Sequence, residues 1–164
     1  MEGLSNVKRS ENQEIYISRL ATDNFDNSSN VLMEGDYNGR HFAIIRHDLG
    51  FPDAYIEVKE DDWICKAEIS EDDQRYDVYQ GCVHGGATFY GKCYWNKEDT
   101  RTYLGWDYGH CGDYEACSKL YEGDKKWSYE EILMDIARVW EDLSWMNDNH
   151  WEELYALPTE HGLE

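Results

Sequence analysis

Two carboxylates and one imidazole lie within seven residues of each other in the segment DYGHCGD, residues 107–113. Asp107, His110 and Asp113 are separated by glycines, which let the backbone curl and bring the side chains together. Such a set could bind a divalent metal ion, or a carboxylate could orient a histidine that acts as a general base. The competing interpretation is a glycine-rich loop whose aspartates hydrogen-bond their own backbone.

A second histidine could complete this site. His84 precedes Gly85 and Gly86, and Thr88 follows at the start of a strand-like segment. His84 reaches the 107–113 segment only if its loop folds back onto the strand that ends there, which is an assumption at this point. On that assumption we predict a small-ligand pocket whose members are His84, Thr88, Asp107, His110 and Asp113.

The cysteines suggest a zinc site less directly. Its ligands could come from Cys82, His84, His110, Cys111 and Cys117, and strand alternation would place Cys82 and His84 on one face. The spacings do not match the Cys-x2-4-Cys pattern that wraps a tetrahedral zinc ion, so free cysteines are expected. Cys111 beside His110 is a conceivable nucleophile pair, but adjacent strand residues point to opposite faces.

Motifs for common reactions are absent from the sequence. It contains no Gly-x-Ser-x-Gly elbow, no P-loop and no Gly-x-Gly-x-x-Gly fingerprint. Hydrolase, NTPase and dinucleotide-binding functions therefore have no motif behind them. We assign no cofactor, no metal and no catalytic residue from the sequence, and a protein that is not an enzyme is favoured.

The composition of the chain limits which classes of partner it can bind. The chain has 164 residues, a formal net charge of −20 and an aromatic content of 15 %. A negative charge of that size disfavours contact with phosphate backbones and anionic lipid, so neither direct nucleic-acid binding nor membrane binding is expected. No apolar run is long enough to cross a bilayer, no leader pattern is present, and the five cysteines form no paired framework. Together these features favour a reducing cytosol.

Hydrophobic patterning predicts an α+β fold in one domain. Residues 1–13 are polar and are predicted to be a flexible lead-in, and residues 14–164 form the domain. The fold class is an antiparallel β-sheet of about five or six strands covered by a C-terminal amphipathic helix. Residues 14–20 could be a strand or the start of a helix. Strands are predicted at 41–46, 54–58, 63–69, 76–84, 87–95 and 101–107.

The C-terminal helix has the best-marked start in the sequence. Ser128 is a good N-cap, and Glu131 three residues later completes a capping box. Apolar residues then recur at helical spacing to about residue 146, and a second helical stretch is predicted at 149–156. Residues 130–164 carry ten acids and one arginine. We predict a partner-binding surface composed of Glu130, Glu131, Asp135, Glu141, Asp142, Asp148, Glu152 and Glu153.

Two motifs and the acidic helix, in this order, resemble a family of small proteins encoded by tailed bacteriophages and prophages. The motifs are HGGATF at 84–89 and GWDYGHCGD at 105–113, and the resemblance covers roughly residues 36–143. Ala87 and Trp106 stand where the family pattern has Leu and Phe. The residues that match the pattern are His84, Asp107, His110 and Asp113. The resemblance implies phage origin more than a reaction. Phage proteins of this kind often serve host takeover or block bacterial immunity.

Two functional hypotheses follow. The first is a phage accessory protein that inhibits a host defence or nucleic-acid-handling protein, of the anti-CRISPR or anti-restriction type. It would act in the host cytoplasm and bind a basic surface of its partner through the acidic helix. The alternative is a pocket at His84, Asp107, His110 and Asp113 that binds a small phosphorylated or nucleotide signal, or hydrolyses it with a metal.

Overall fold

Seven antiparallel strands and one long helix make up the fold. The computed structural model describes residues 7–10, 13–20, 30–79, 81–110, 113 and 125–149. The strands are β1 (Val7–Ser10), β2 (Gln13–Leu20), β3 (Val31–Tyr37), β4 (Arg40–Arg46), β5 (Pro52–Val58), β6 (Phe89–Lys92) and β7 (Thr102–Asp107). The helices are the single turn α1 (Trp63–Lys66) and α2 (Tyr129–Asp148), with a 3-10 turn at Arg75–Val78.

The strands form one sheet in the order β1-β2-β3-β4-β5-β7-β6, and every neighbouring pair is antiparallel. The first five strands follow chain order, so short turns suffice to connect most of them. The β3–β4 turn is Asn38-Gly39, and both residues have positive φ, 46° and 90°. Positive φ at both central positions suits the twist of a hairpin. The predicted α+β class, an antiparallel sheet with a C-terminal helix, is confirmed.

Strand alternation gives the sheet two different faces. One face packs against α2, and its buried residues include Phe42, Ile44, Ala54, Ile56, Leu104 and Trp106. The intervening residues build a second, smaller cluster on the other face, composed of Val31, Ala43, Ile45, Tyr55 and Tyr103. Along β5 and β7 the side chains therefore point alternately toward the helix and away from it. This alternation decides which residues can share a site.

Helix α2 begins where the capping box predicts. The Ser128 hydroxyl accepts a hydrogen bond from the Glu131 backbone N–H at 3.2 Å, and the Glu131 carboxylate accepts one from the Ser128 backbone N–H. Ile132, Ile136 and Val139 are buried against the sheet. The helix continues to Asp148, two residues past the predicted end. Of the second predicted helical stretch, all but Asn149 lies outside the described residues.

Two predicted strands are wrong. Residues 63–66 form α1 because Trp63 and Ile64 are buried and the Trp63 backbone N–H donates to Asn147 Oδ1 of α2 at 2.7 Å. The segment predicted as strand 76–84 begins as the 3-10 turn, which a capping box between Gln74 and Asp77 stabilises, and continues as a loop. In both cases local caps and tertiary contacts outweigh the alternation of side chains.

Two further elements concern the N-terminal part of the chain. Residues 14–20, for which the sequence left strand and helix open, belong to strand β2. Strand β1 lies at Val7–Ser10, inside the segment predicted as a lead-in.

Within the described residues, no helix is long and apolar enough to cross a membrane.

A buried ion pair joins the sheet to both helices. Asp62 is 2 % exposed and accepts hydrogen bonds from Arg40 Nη2 at 2.7 Å, from the Lys59 backbone N–H and from Asn147 Nδ2. Burial alone would raise the pKa of Asp62, but the hydrogen bonds from Arg40 and Asn147 hold it below its usual value. The carboxylate therefore stays ionised and fixes strand β4, the α1 turn and α2 relative to one another.

The substitution Asp62→Ala should reduce the free energy of unfolding by about 3–5 kcal/mol, because it leaves Arg40 as an uncompensated buried charge. Urea denaturation monitored by tryptophan fluorescence measures this change. Asp61→Ala is the matched control, since Asp61 is exposed, and it should change stability by no more than about 0.5 kcal/mol. Equal stability of the two variants would contradict a structural role for the ion pair.

Candidate functional site

Strand pairing brings the two sequence motifs together. The Thr88 backbone N–H donates to the Gly105 carbonyl at 2.9 Å, and strand β6 then pairs with β7. The loop that carries His84 therefore enters the sheet beside the end of β7. Since Asp107 is the last residue of β7, the loop at 81–88 and the segment at 107–110 lie side by side.

His84, His110 and Asp113 form the centre of the site. His84 Nε2 lies 2.7 Å from Asp113 Oδ2, and His110 Nδ1 lies 3.6 Å from the same oxygen. One ligand atom from each residue can be chosen so that all three lie within 4.8 Å of one another. The folding-back of the His84 loop, which the sequence analysis had to assume, is present in the structure. The small-ligand pocket predicted from the sequence therefore has His84, His110 and Asp113 at its centre.

Hydrogen bonds fix Asp113 in place. Its Oδ1 accepts from Trp127 Nε1 at 2.8 Å, and its Oδ2 accepts from the His110 backbone N–H at 3.0 Å. Burial by itself would raise the pKa of Asp113, but the hydrogen bonds from Trp127, His84 and the His110 backbone lower it. Asp113 is thus an ionised acceptor at neutral pH.

Aromatic rings orient His84. Its ring stacks on Tyr108, with centroids 5.3 Å apart and planes 7° apart, and it contacts Trp127 at 4.6 Å. The His110 ring meets it edge-on at 5.1 Å. These contacts leave His84 partly exposed, with 26 % of its side chain accessible. The imidazole is therefore both held in one orientation and reachable from solvent.

Asp107 and Thr88 border this centre. Thr88 Oγ1 donates to Asp107 Oδ2 at 3.2 Å, and Asp107 Oδ1 accepts from the Gly109 backbone N–H at 3.0 Å. The second bond has the Asx-turn geometry that the alternative interpretation expected. Asp107 Oδ1 also lies 3.7 Å from His110 Nδ1. The His110 Nδ1 atom itself is buried and has no hydrogen-bond partner among the residues that the structure describes.

Gly85 lets the two histidines approach. Its φ is +68°, and a Cβ atom there would lie 2.1 Å from the His110 ring. Any side chain at this position would therefore be strained and would displace His110. The glycine beside His84 is required by the packing of the site.

Asp53 is a neighbour of the site that the sequence analysis missed. It pairs with Asp107 across strands β5 and β7, so the two carboxylates lie on the same face of the sheet. Asp53 is 5 % exposed, its Oδ1 has no hydrogen-bond partner in the described ranges, and its Oδ2 is 3.5 Å from the Tyr55 hydroxyl. Burial and the nearby Asp107 raise the pKa of Asp53 to about 7. In the sequence, its place after Pro52 resembles an ordinary turn.

A larger pocket lies away from this site. It has a volume of about 590 Å³, lies along α1 and the 3-10 turn, and is lined by neither histidine nor cysteine. A pocket of about 320 Å³ lies instead against Asp53, Asp107 and Thr88. The ionisable groups therefore cluster at the histidines and at this adjoining smaller pocket, and not along α1.

The predicted acidic surface of α2 is only partly available. Asp135 is 7 % exposed and accepts a hydrogen bond from the Tyr108 hydroxyl, so its predicted place on the partner-binding surface is wrong. Asp142 accepts a hydrogen bond from the Tyr79 hydroxyl, and Glu131 caps the helix and pairs with Lys125. The exposed acids are Glu130, Glu141 and Asp148. Glu152 and Glu153 lie outside the described residues.

The cysteines considered as zinc ligands do not join the histidine cluster within the described residues. Cys82 is exposed, and Cys65 and Cys93 are half-buried. All three are free cysteines that form no disulfide. Cys111 and Cys117 lie outside the described residues. The donor set around His84 therefore consists of imidazole and carboxylate groups.

Asp53→Asn should stabilise the protein increasingly as pH rises. The unfolded chain releases the Asp53 proton near its usual pKa, whereas the folded protein keeps it until about pH 7. Between these values folding takes up a proton, so the wild type loses up to about 1.4 kcal/mol of stability per pH unit and the variant does not. Urea denaturation of both at pH 5 and pH 7.5 measures the difference, with Asp61→Asn as control. A stability difference that stays constant between the two pH values would contradict the raised pKa.

Comparisons of the chain with protein-family models, with curated proteins and with solved structures find no match.

Proposed function

We propose that this protein binds a divalent transition-metal ion through His84, His110 and Asp113. The observation that carries this proposal is the convergence of two imidazole nitrogens and one carboxylate oxygen within 4.8 Å. Ligands about 2.0–2.2 Å from one ion lie roughly 3–3.5 Å from each other, so small side-chain shifts suffice for coordination. The unpartnered Nδ1 of His110 supports the assignment because it leaves a nitrogen lone pair or N–H without another role.

The donor set indicates the class of metal. Imidazole nitrogens suit zinc, iron, cobalt and nickel, whereas an all-oxygen site would suit calcium or magnesium. Three protein ligands leave coordination positions for water or a substrate, which is the arrangement of catalytic sites and not of structural zinc sites. The hydrogen bonds that Asp113 receives from Trp127 and the His110 backbone hold this carboxylate in position.

A small phosphorylated molecule, such as a nucleotide signal, is the ligand we propose for this site. The chain carries a net charge of −20, Asp107 lies beside His110, and Asp53 is the cross-strand neighbour of Asp107. A bare phosphate would be repelled here, so binding requires a cation between the phosphate and the protein. A metal ion held by His84, His110 and Asp113 would supply that cation and would lower the pKa of a coordinated water, so the reaction class we propose is metal-dependent hydrolysis. Asp107 is placed to accept a proton beside His110.

The metal site can be tested directly. Purified protein stripped with chelator should bind one Co²⁺ or Zn²⁺ ion, and His84→Ala and His110→Ala should each weaken binding by about tenfold or more. Isothermal titration gives affinity and stoichiometry, and the visible spectrum of bound Co²⁺ reports the geometry. His41→Gln is the matched control, because His41 lies on β4 and pairs with Glu34. If His84→Ala and the control bind the ion as the wild type does, the proposal is wrong.

A second candidate function rests on the exposed stripe of α2. Glu130, Met134, Glu141, Trp145 and Asp148 recur at helical spacing on one side, and Met134 and Trp145 are 55 % and 51 % exposed. Two large apolar side chains among acids resemble the centre and rim of a protein-binding surface. We propose on this basis that the stripe binds a host protein with a basic surface. The protein would then act in the host cytoplasm as a phage inhibitor of the anti-CRISPR or anti-restriction type.

This second function predicts salt-sensitive capture. Tagged wild-type protein should retain one basic protein from a bacterial lysate at about 50 mM salt and lose it at about 500 mM, because screening weakens the attraction. Glu141→Lys combined with Trp145→Ala should abolish retention, whereas His84→Ala should not. Retention that is independent of salt, or that depends on His84 instead of the stripe, would contradict the proposal.

A further inference from the structure

A pocket on the far side of the sheet from α2 is both acidic and aromatic. It has a volume of about 320 Å³, and Asp53 and Asp107 contribute its two carboxylates. Phe89, Tyr55 and Tyr94 contribute aromatic walls, with ring centroids 5.2–5.9 Å apart. Tyr94 is 56 % exposed, so this wall is open to solvent.

One polar atom in this pocket has no partner. Asp53 Oδ1 is buried and has no hydrogen-bond donor within the described part of the chain, although Asp53 is 95 % buried and lies next to a second carboxylate, Asp107, on the adjacent strand. A buried acceptor without a donor is costly, and few such groups occur in folded proteins. A ligand that donates hydrogen bonds to Asp53 would remove this cost. Asp53 Oδ1 therefore lacks a donor among the described residues, and a positively charged ligand would supply one.

We propose that this pocket binds the ammonium group of a small aliphatic amine. The ammonium group donates to Asp53 and to Asp107, and the aromatic walls of Tyr55, Phe89 and Tyr94 cover its alkyl chain. Rings that surround a cation attract it through their negative faces. The volume suits a molecule with a short carbon chain.

Other ligand classes fit less well. A phosphate or carboxylate would be repelled by the two aspartates, and a neutral alcohol would leave their charge uncompensated. A hard metal ion would accept the carboxylates but requires six or more oxygen ligands, whereas this pocket is walled by aromatic rings. An alkylammonium ion matches both the carboxylates and the rings.

Calorimetric titration of the chelator-treated full-length protein with butylamine and putrescine at pH 7.5 and about 150 mM salt tests the proposal. One amine per chain should bind. Asp53→Asn should weaken binding by about tenfold or more, and Tyr94→Leu by about threefold or more. Asp61→Asn is the control for charge, because it removes one exposed acid elsewhere and should bind as the wild type does.

Comparison ligands separate the possible outcomes. Butanol should not bind, and N-acetyl-lysine methylamide shows whether a protein lysine side chain reaches the pocket as well as a free amine does. Competition by millimolar Mg²⁺ at the same carboxylates, equal binding of butanol, or unchanged binding by Asp53→Asn would each overturn the proposal. Since the titration is done without metal, its outcome does not depend on the His84 site, and the two proposals can fail separately.

Discussion

The side chain of Tyr108 holds the candidate site against the core. It is fully buried, its hydroxyl accepts from Trp106 Nε1 at 2.9 Å, and it donates to Asp135 Oδ2 at 2.7 Å. The opposite part of the residue, its ring, stacks on His84. One residue therefore joins the end of β7, the interior of α2 and the loop that carries His84. This bond explains why the carboxylate of Asp135 lies on the buried side of the helix. Asp135 accepts the hydrogen bond that a buried tyrosine hydroxyl must donate.

Strand alternation then divides the chemistry between two faces. Trp106 and Tyr108 face the helix, whereas Asp107 faces the other side, where Asp53 is its cross-strand neighbour. Asp107 is consequently shared: its Oδ2 accepts from Thr88 at the pocket, and its Oδ1 lies near His110. The histidine cluster and the aromatic pocket are adjacent because a single strand ends between them.

The sequence predicts those features of the fold and the site that depend on residues close together in the chain. Ser128 and Glu131 are three residues apart, so the start of α2 could be predicted, and Asp107, His110 and Asp113 are close enough in sequence to indicate a site. The role of Asp53 could not be predicted, because it depends on the register of β5 with β7, two strands separated by more than forty residues. The same limit applies to residues 63–66, whose helical turn depends on a hydrogen bond to Asn147. Asp135 follows the acidic pattern of α2, and only tertiary packing shows that it is buried.

Asp113 and Asp53 are the carboxylates nearest the two proposed cations, and they differ in their hydrogen bonds. This difference affects how strongly each site would bind a cation. Asp113 is satisfied by hydrogen bonds in the absence of any ion, and its pKa is lowered, so a metal ion must replace the bond from His84. The loss of that bond would reduce the affinity of the site for a metal ion. Asp53 is instead buried without a partner at Oδ1, and its pKa is raised to about 7. A cation there would contact a carboxylate oxygen, Oδ1, that has no donor among the described residues, but only once Asp53 has ionised. Ammonium binding should therefore strengthen as pH rises toward 7 and level off above it.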